Sequence, residues 1–590
     1  MESPPPTPQS DTAPPASEGG QPRRAAVALG ALALGVYLVL SVAMLWKGLF
    51  TGSGTVVGRL QDPALFIWYL QWLPFALGHH LNPLLTTYLH YPSGANLMWN
   101  TSIVFPALVL APVTIAFGPI TAYNVLCVTA VASSAWCGYL AARRFTQSWW
   151  AAVVGGLLYG FSPYVVSQSL GHPNLALAFY PALAVIFADE ILVRQRARPW
   201  RLGLLLGAVT ALQMMTSEEL LGETVIMAVP GLVALALLHR AEVRQRLHYV
   251  LRVAGPALLT FVALAGYPLY VQLLGPERIH GALWYLNYYV ATLERFVVPS
   301  NVQLLGPGPR SVLGDSGVYV GIPLLLLAVA AVVWLRRRTV VVVAAVTLAS
   351  AMVLSLGGFL NVWDGHSTPV PLPWLPIDVL PFFNDILPIR VMLFGYLALG
   401  ILVAFFLDRV LRHPRTRWRV AGVLAAVVAL VPLLPVLPFP SERWSVPAFF
   451  SSADVHRLST TGSVLMTSSP GYETSVWQAV SEMSFRSATG PAFIPGPGGW
   501  QWGTNLGPLG TELREVGDDG RSVPASLTAS DRGAYVAELR ALDVGSVVVG
   551  PERHQAQVAR LFTELLGRPG EQVGGVVVWY EVNPDALPGA

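Results

Sequence analysis

Long apolar runs, separated by short clusters of arginine, leave this chain few ways to fold. The runs cover about 25–49, 103–118, 120–142, 148–166, 174–193, 200–216, 220–239, 250–272, 317–336, 339–356, 389–409 and 419–438. A helix needs about 20 apolar residues to cross the hydrocarbon core of a bilayer. In lipid, the backbone polar groups of a span must be satisfied within it, which favours helices. The pattern therefore predicts an all-α polytopic membrane bundle. Only 12% of the residues are charged, against about 25% in soluble domains. The net charge of +3 is small and is distributed in clusters between the runs, which is a topology signal and excludes a nucleic-acid-binding face.

The clusters are Arg143–Arg144, Arg194–Arg201, Arg240–Arg252, Arg336–Arg338 and Arg409–Arg419. Each adjacent pair encloses two runs, so all of them can lie on the cytoplasmic side. Segments 167–173, 217–223, 273–316, 357–388 and 440–590 are then expected to face outward. Residues 1–24, rich in Pro, Ser and Thr, are expected to be a disordered cytoplasmic tail. The run from Ala25 is too long for a signal-peptide core and reads as an uncleaved first helix. Lys47 is the only lysine, a bias expected of a G+C-rich bacterial genome, and the plasma membrane of a bacterium is the expected location.

The crossings leave a parity question. From an outer loop at 51–102 to the arginines at 143 the chain must cross an odd number of times, yet two runs lie between. Either 103–118, which holds Pro106 and Pro112, is re-entrant, or 62–78 also crosses; the total is then about 11 or about 13. The first is favoured, with 62–78 as an interfacial helix whose Phe66, Trp68, Tyr69 and Trp72 sit at headgroup level. The membrane domain is thus expected over 25–439. From 440 onward charge rises and short β-rich runs appear at Ser463–Met466, Val544–Val549 and Gly575–Tyr580, with an amphipathic stretch His554–Leu566 between the last two. This predicts a C-terminal extracytoplasmic α/β domain over 440–590, with 490–510 as a long loop folded back over the membrane domain. Cys127 and Cys137, about 15 Å apart on a helix, are too far apart for a disulfide.

Polar groups collect at the outer ends of the runs. Asp62 precedes Pro63 in a loop that continues with His79, His80, Asn82, Tyr88, His90 and Asn100. A carboxylate among aromatic rings and amides suits a sugar site, where it could take the proton of an attacking hydroxyl; equally, Asp62 could cap the helix that Pro63 begins. Gln168, His172 and Asn174 form a second outer group that is either functional or plain loop polarity. Glu218, Glu219 and Glu223 form a third, which could pair with Arg278, Arg295 or Arg390, hold an acceptor, bind a metal, or simply lie solvated at a capped helix start. Arg278, His280, Arg295, Arg310 and Arg390 form a fourth, in which arginine suits phosphate by its forked donors; contact with lipid headgroups, or an ion pair of Arg390 with Asp385, is the alternative. No Walker-type phosphate loop, zinc spacing or Ser-His-Asp signature is present.

The layout of one N-terminal helix, a long outer loop with an acid near its start, a polytopic bundle and an outer C-terminal domain resembles the GT-C superfamily of polyprenyl-phosphate-sugar-dependent glycosyltransferases. The stretches Asp62-Pro63-Ala64-Leu65-Phe66-Ile67-Trp68-Tyr69-Leu70 and Tyr91-Pro92-Ser93-Gly94-Ala95-Asn96-Leu97-Met98-Trp99-Asn100 look like the first loop of bacterial members. The resemblance implies a hexosyl- or pentosyltransferase with Asp62 as the catalytic base. Its donor would be a polyprenyl-phosphate sugar and its acceptor a cell-envelope glycan, lipid or protein; membrane lipid is a further partner and nucleic acid is not. Arg390 and Arg278 would bind the donor phosphate. His79, His80, Asn100, His172, Asn174, Glu218 and Glu219 would contact acceptor or sugar. The family's second outer-loop acid would fall near His172–Asn174, where this chain has none, so no metal is assigned and a divalent cation stays open. Two rival readings stand beside this one: a transporter or flippase of a lipid-linked saccharide, and a non-catalytic envelope assembly protein.

Overall fold

The computed structural model describes residues 21–52, 54–59, 61–306, 317–468, 472–503, 507–518, 520–523 and 527–587. The expected tail lies outside the described residues up to position 20, as does Arg310; from Gln21 the chain is already helical. The apolar runs become helices α1 (Gln21–Phe50), α2 (Pro63–Gly78), α3 (Val104–Phe117), α4 (Pro119–Phe145), α5 (Trp149–Gly160), α6 (Pro163–Gln168), α7 (Pro173–Ala176), α8 (Phe179–Asp189), α9 (Pro199–Met214), α10 (Glu218–Leu238), α11 (Arg240–Leu274), α12 (Ile322–Leu335), α13 (Thr339–Ser355), α14 (Leu375–Asp378), α15 (Met392–Leu411) and α16 (Thr416–Leu430). Among the described residues seven helical segments are long and apolar enough to cross a membrane, and α3, α5, α12 and α13 are shorter apolar helices. This is a multi-pass membrane protein.

Helices α4 and α15 form the centre of the bundle, buried along most of their length, whereas α1, α11 and α16 keep most of theirs exposed. Among the side chains exposed on these outer helices are many large apolar ones, such as Val39, Leu258 and Leu424, the surface that lipid demands. Small residues allow the central contact. A Cβ on Gly155 of α5 would lie 2.9 Å from the Gly400 carbonyl of α15, so a side chain on either glycine would push the two helices apart.

Helix α2 departs from expectation. Phe66, Trp68, Tyr69 and Trp72 are all buried, and α2 packs on α3, α4 and a helix from the far end of the chain, α17 (Glu473–Val480). Its aromatic rings fill the protein interior and are not exposed to headgroups. Trp68 Nε1 donates to Gln478 Oε1 at 2.7 Å, and the Gln478 amide donates to the Tyr88 carbonyl at 2.8 Å. These side chains found a partner 410 positions away, beyond the reach of a local reading.

Six short strands come before the C-terminal sheet: β1 (Thr55–Val57), β2 (Leu85–Thr86), β3 (Ala95–Asn96), β4 (Phe359–Trp363), β5 (His366–Pro371) and β6 (Ser441–Arg443). Then come β7 (Ser463–Thr467), β8 (Phe493–Ile494), β9 (Gln501–Trp502), β10 (Val544–Val549), β11 (Glu571–Val573) and β12 (Val576–Trp579), with helices α18 (Pro508–Gly517), α19 (Ala529–Ala541) and α20 (Gln555–Leu566). The sheet runs β11-β12-β10-β7, with β7 and β10 parallel and the other pairs antiparallel. The two-residue period of a strand sorts its side chains. Leu465, Val547 and Val549 face the core formed with α18, α19 and α20, while Val464, Met466 and Val548 face Phe449, Phe450 and Trp477. Segment 490–503 contains the β8–β9 hairpin. It lies against the first loop: His90 Nε2 is 2.8 Å from the Gly490 carbonyl, and Asn100 exchanges hydrogen bonds with the Phe493 backbone.

Candidate functional site

The loop that carries Asp62 is held from three sides. Strand β1 pairs antiparallel with β6. At the start of α4, Asn124 donates to the carbonyls of Gly48 at 2.7 Å and Thr55 at 2.8 Å, and it accepts from Val57 N at 3.0 Å. Gly58 and Arg59 then donate to the carbonyls of Pro440 (2.9 Å) and Leu170 (3.1 Å). Gly58 has φ +101°, and a Cβ there would lie 1.9 Å from the Leu170 oxygen. Any other residue would force the backbone at Gly58 away from the 170–172 loop, at a cost of about 1–3 kcal/mol.

That approach joins two of the predicted groups. His172 Nε2 lies 2.8 Å from Asp62 Oδ2. Asp62 stands at the N-cap of α2, but its side chain makes no capping bond, so its carboxylate serves His172 and not the helix. Burial pushes the Asp62 carboxyl up, but the hydrogen bond and charge of His172 and the charge of Arg390 outweigh it, and the group is held below its ordinary range. It stays ionised at neutral pH. Its side chain is still 39% accessible. The carboxylate is therefore held by protein on one side and open to solvent on the other.

Arg390, on the turn before α15, acts on this carboxylate through its charge. It pairs with Glu219, which also accepts from Leu387 N at 3.3 Å. The alternative partner, Asp385, is taken by Leu283 N at 2.7 Å. The Arg390 Nε–H is buried and has no acceptor among the described residues. Glu223, one turn beyond Glu219 on the same face of α10, interacts with both charges. It is fully buried, and neither of its oxygens has a hydrogen-bond partner among the described residues. Ser217 caps α10 by accepting from Leu220 N, yet Glu219 and Glu223 are not the solvated acids of an ordinary helix start.

The remaining candidates go elsewhere. One residue along a helix is a turn of about 100°, so Glu218 points away from Glu219. It accepts from Gln272 Nε2 at 2.6 Å, in a separate recess with Met98, Ser102 and Met214. His79 and His80 are exposed at the end of α2, with His79 stacked on Phe75. Asn100 is occupied by the Asn96 and Phe493 backbones. Asn174 is buried, and its side-chain oxygen has no hydrogen-bond partner among the described residues. Arg278 is exposed, 3.4 Å from the Leu273 carbonyl; no described contact joins it to Asp62. Among the described residues no group of three or more His, Cys, Asp or Glu is placed to hold a metal ion; Asp62 and His172 together offer two ligands.

Three tyrosines near these groups were not singled out from the sequence. Tyr123 and Tyr472 interact with the Asp62 charge, and Tyr164 with Arg390, Glu219 and Glu223. The Tyr164 hydroxyl is buried and has no hydrogen-bond partner among the described residues. Tyr472, at the N-cap of α17, also interacts with Trp502, so the C-terminal part reaches the surroundings of Asp62. Only its place in space marks it out; the local sequence around it has no motif.

No family model and no curated protein matches the chain. Three solved structures of the GT-C type are similar to it. The Archaeoglobus fulgidus oligosaccharyltransferase is 12% identical, over 88% of this chain and 69% of that one, with a TM-score of 0.47. The mycobacterial arabinofuranosyltransferase AftD is 15% identical over 94% of this chain, with a TM-score of 0.46; this chain spans 40% of its length. ArnT from Cupriavidus metallidurans is 13% identical, over 95% and 98% of the two chains, with a TM-score of 0.41. At these values no residue of those proteins maps onto a residue here.

Proposed function

We propose that this protein transfers a glycosyl group from a polyprenyl-phosphate sugar to a hydroxyl of a cell-envelope acceptor, at the site around Asp62. The observation that carries this reading is the pairing of two complementary groups there. One is an ionised, accessible carboxylate with a single described hydrogen-bond partner; the other is a buried arginine with an unused N–H. The acceptor oxygen attacks the anomeric carbon as the bond from that carbon to the phosphate oxygen breaks. The acceptor proton passes to Asp62, and the negative charge left on the lipid phosphate is met by Arg390. His172 orients Asp62 through Oδ2 and leaves Oδ1 for the acceptor. A carboxylate below its ordinary pKa is a weak base, but the acceptor hydroxyl becomes acidic as its bond to carbon forms, so the proton moves late in the step. The Arg390 charge is already balanced by Glu219, so the phosphate gains the Nε–H bond and the surrounding field without displacing an acid.

The test is Asp62→Asn in membranes supplied with a radiolabelled lipid-linked sugar. Transfer should fall by about 10²–10⁴-fold with the amount of folded protein unchanged. Full activity in that variant removes Asp62 from the mechanism.

A further inference from the structure

The structure holds a further recess, and the reaction above does not use it. It lies between segment 287–295, which follows α11, and the β4–β5 hairpin, with a volume of about 490 Å³. Tyr288, Thr292, Arg295, Asn361, Trp363 and His366 line it, and Ile389 closes one side. Ile389 N donates to the Tyr289 carbonyl at 3.3 Å and immediately precedes Arg390. The cleft and the proposed reaction site thus share one helical turn, Pro388–Val391.

Its lining alternates flat rings with fixed polar groups. Trp363, 51% exposed, stacks on His366 with centroids 4.4 Å apart and planes at 9°. Tyr288, 42% exposed, stacks on Trp284 at 4.5 Å and 13°. A ring backed by another ring presents its outer face in one orientation. Between them, the Asn361 amide donates to the Phe359 carbonyl at 3.0 Å, and Arg295 Nε donates to Asp364 Oδ1 at 2.9 Å. Thr292 is 7% exposed, and its hydroxyl has no hydrogen-bond partner among the described residues. A buried hydroxyl left unpaired is costly, so its place in the lining of an open cleft points to a partner supplied from outside the chain.

The chemistry selects among ligands. An acyl chain would have no use for the hydroxyl, the amides or the ion pair. A phosphate would find Arg295 already matched by Asp364. Rings that merely anchor the protein at the membrane interface would need no buried hydroxyl between them. A sugar ring has an apolar C–H face to lie on Trp363 or Tyr288 and hydroxyls around its edge to meet the polar groups. We propose that this cleft is a saccharide subsite, holding the part of a glycan acceptor that lies away from the reacting hydroxyl. The proposal rests on the glycosyl-transfer reading and adds that the acceptor is itself a carbohydrate chain.

The experiment is saturation-transfer NMR on the full chain in detergent, with a panel of neutral tetra- to hexasaccharides from arabinan, galactan, mannan and glucan. At least one should bind. Trp363→Ala and Tyr288→Ala should each weaken that binding by about tenfold and Thr292→Val severalfold, with the unfolding temperature of each variant recorded. Where an alanine variant fails to fold, Trp363→Phe and Thr292→Val carry the comparison. Asp62→Asn should bind as the wild type does. No binding by any oligosaccharide, or binding indifferent to all these substitutions, overturns the proposal. Binding that depends on Trp363 while Asp62→Asn keeps full transfer activity upholds the subsite and sinks the catalytic reading instead.

Discussion

Two clusters of arginine and carboxylate lie at opposite ends of α4, and they are built differently. Near Arg144 every group is satisfied. Asp189 accepts from Arg144 at 2.6 Å and pairs with Arg194 at 2.7 Å. Glu190 pairs with Arg144 and accepts the backbone N–H groups of Arg196 at 2.7 Å and Ala197 at 2.8 Å. At the other end, around Asp62 and Arg390, the cluster is left incomplete. Both oxygens of Glu223, the Arg390 Nε–H and the Tyr164 hydroxyl lack partners among the described residues. Each unpaired buried group costs about 1–3 kcal/mol or more, so a fold that leaves several together does so where something else is to bind. The first cluster joins α4 to the π-helical turn at Glu190–Arg194; the second is the site proposed above.

This contrast can be broken by mutation. The largest expected effect is the loss of transfer in Asp62→Asn without loss of folded protein. Arg144→Ala should do the reverse. Glu190 then loses its charged partner but keeps its two backbone donors, and Asp189 is left with Arg194 alone, so stability should fall by about 1–3 kcal/mol, read as a lower unfolding temperature, with activity per folded molecule within about twofold. A large activity loss in Arg144→Ala at unchanged stability would erase the distinction between the ends.

His90 sharpens it by pH. Burial pushes this imidazole down to about 4, against the smaller opposing pull of its bond to the Gly490 carbonyl. The unfolded chain, at an ordinary value near 6.5, takes up the proton more readily than the folded one. The fold therefore keeps its full stability above about 6.5 and loses about 3 kcal/mol as pH falls toward 4. That loss should loosen segment 490–503 from the first loop. Unfolding temperature measured against pH should show the slope in the wild type and not in His90→Gln; the same slope in both assigns it to other groups. The smallest effect is expected for Glu223→Gln. Because its oxygens serve no described donor, stability should change by no more than about 1 kcal/mol, whereas Glu190→Gln, which loses its pairing with Arg144, should cost more.

Much of the scaffold was legible because depth in a bilayer is a one-dimensional variable. An apolar run can be only a helix there, and each run expected to span coincides with helical structure. The strands at 463–467, 544–549 and 576–579 were legible from their β-rich runs. What failed to read was partner choice. Asp62 was visible as an acid in an outer loop, but nothing near it in the sequence shows that its carboxylate faces His172 and leaves the α2 cap empty. Glu218 and Glu219 looked like one pair, yet the helix turns them to different partners. The aromatic residues of α2 carried the composition of a membrane interface and were claimed by α17.

By itself the sequence determined that this chain lives in a membrane, roughly where its helices lie, and that its polar chemistry gathers at their ends, because burying backbone and charge in hydrocarbon leaves little choice. Only the tertiary structure decided which equally apolar helices form the centre and which stay exposed, that His172 lies against Asp62 with the charge of Arg390 acting on it, and that Tyr472 comes near from the far end of the chain. Those outcomes depend on close packing and on single hydrogen bonds between distant segments, and neither leaves a periodic mark in the sequence.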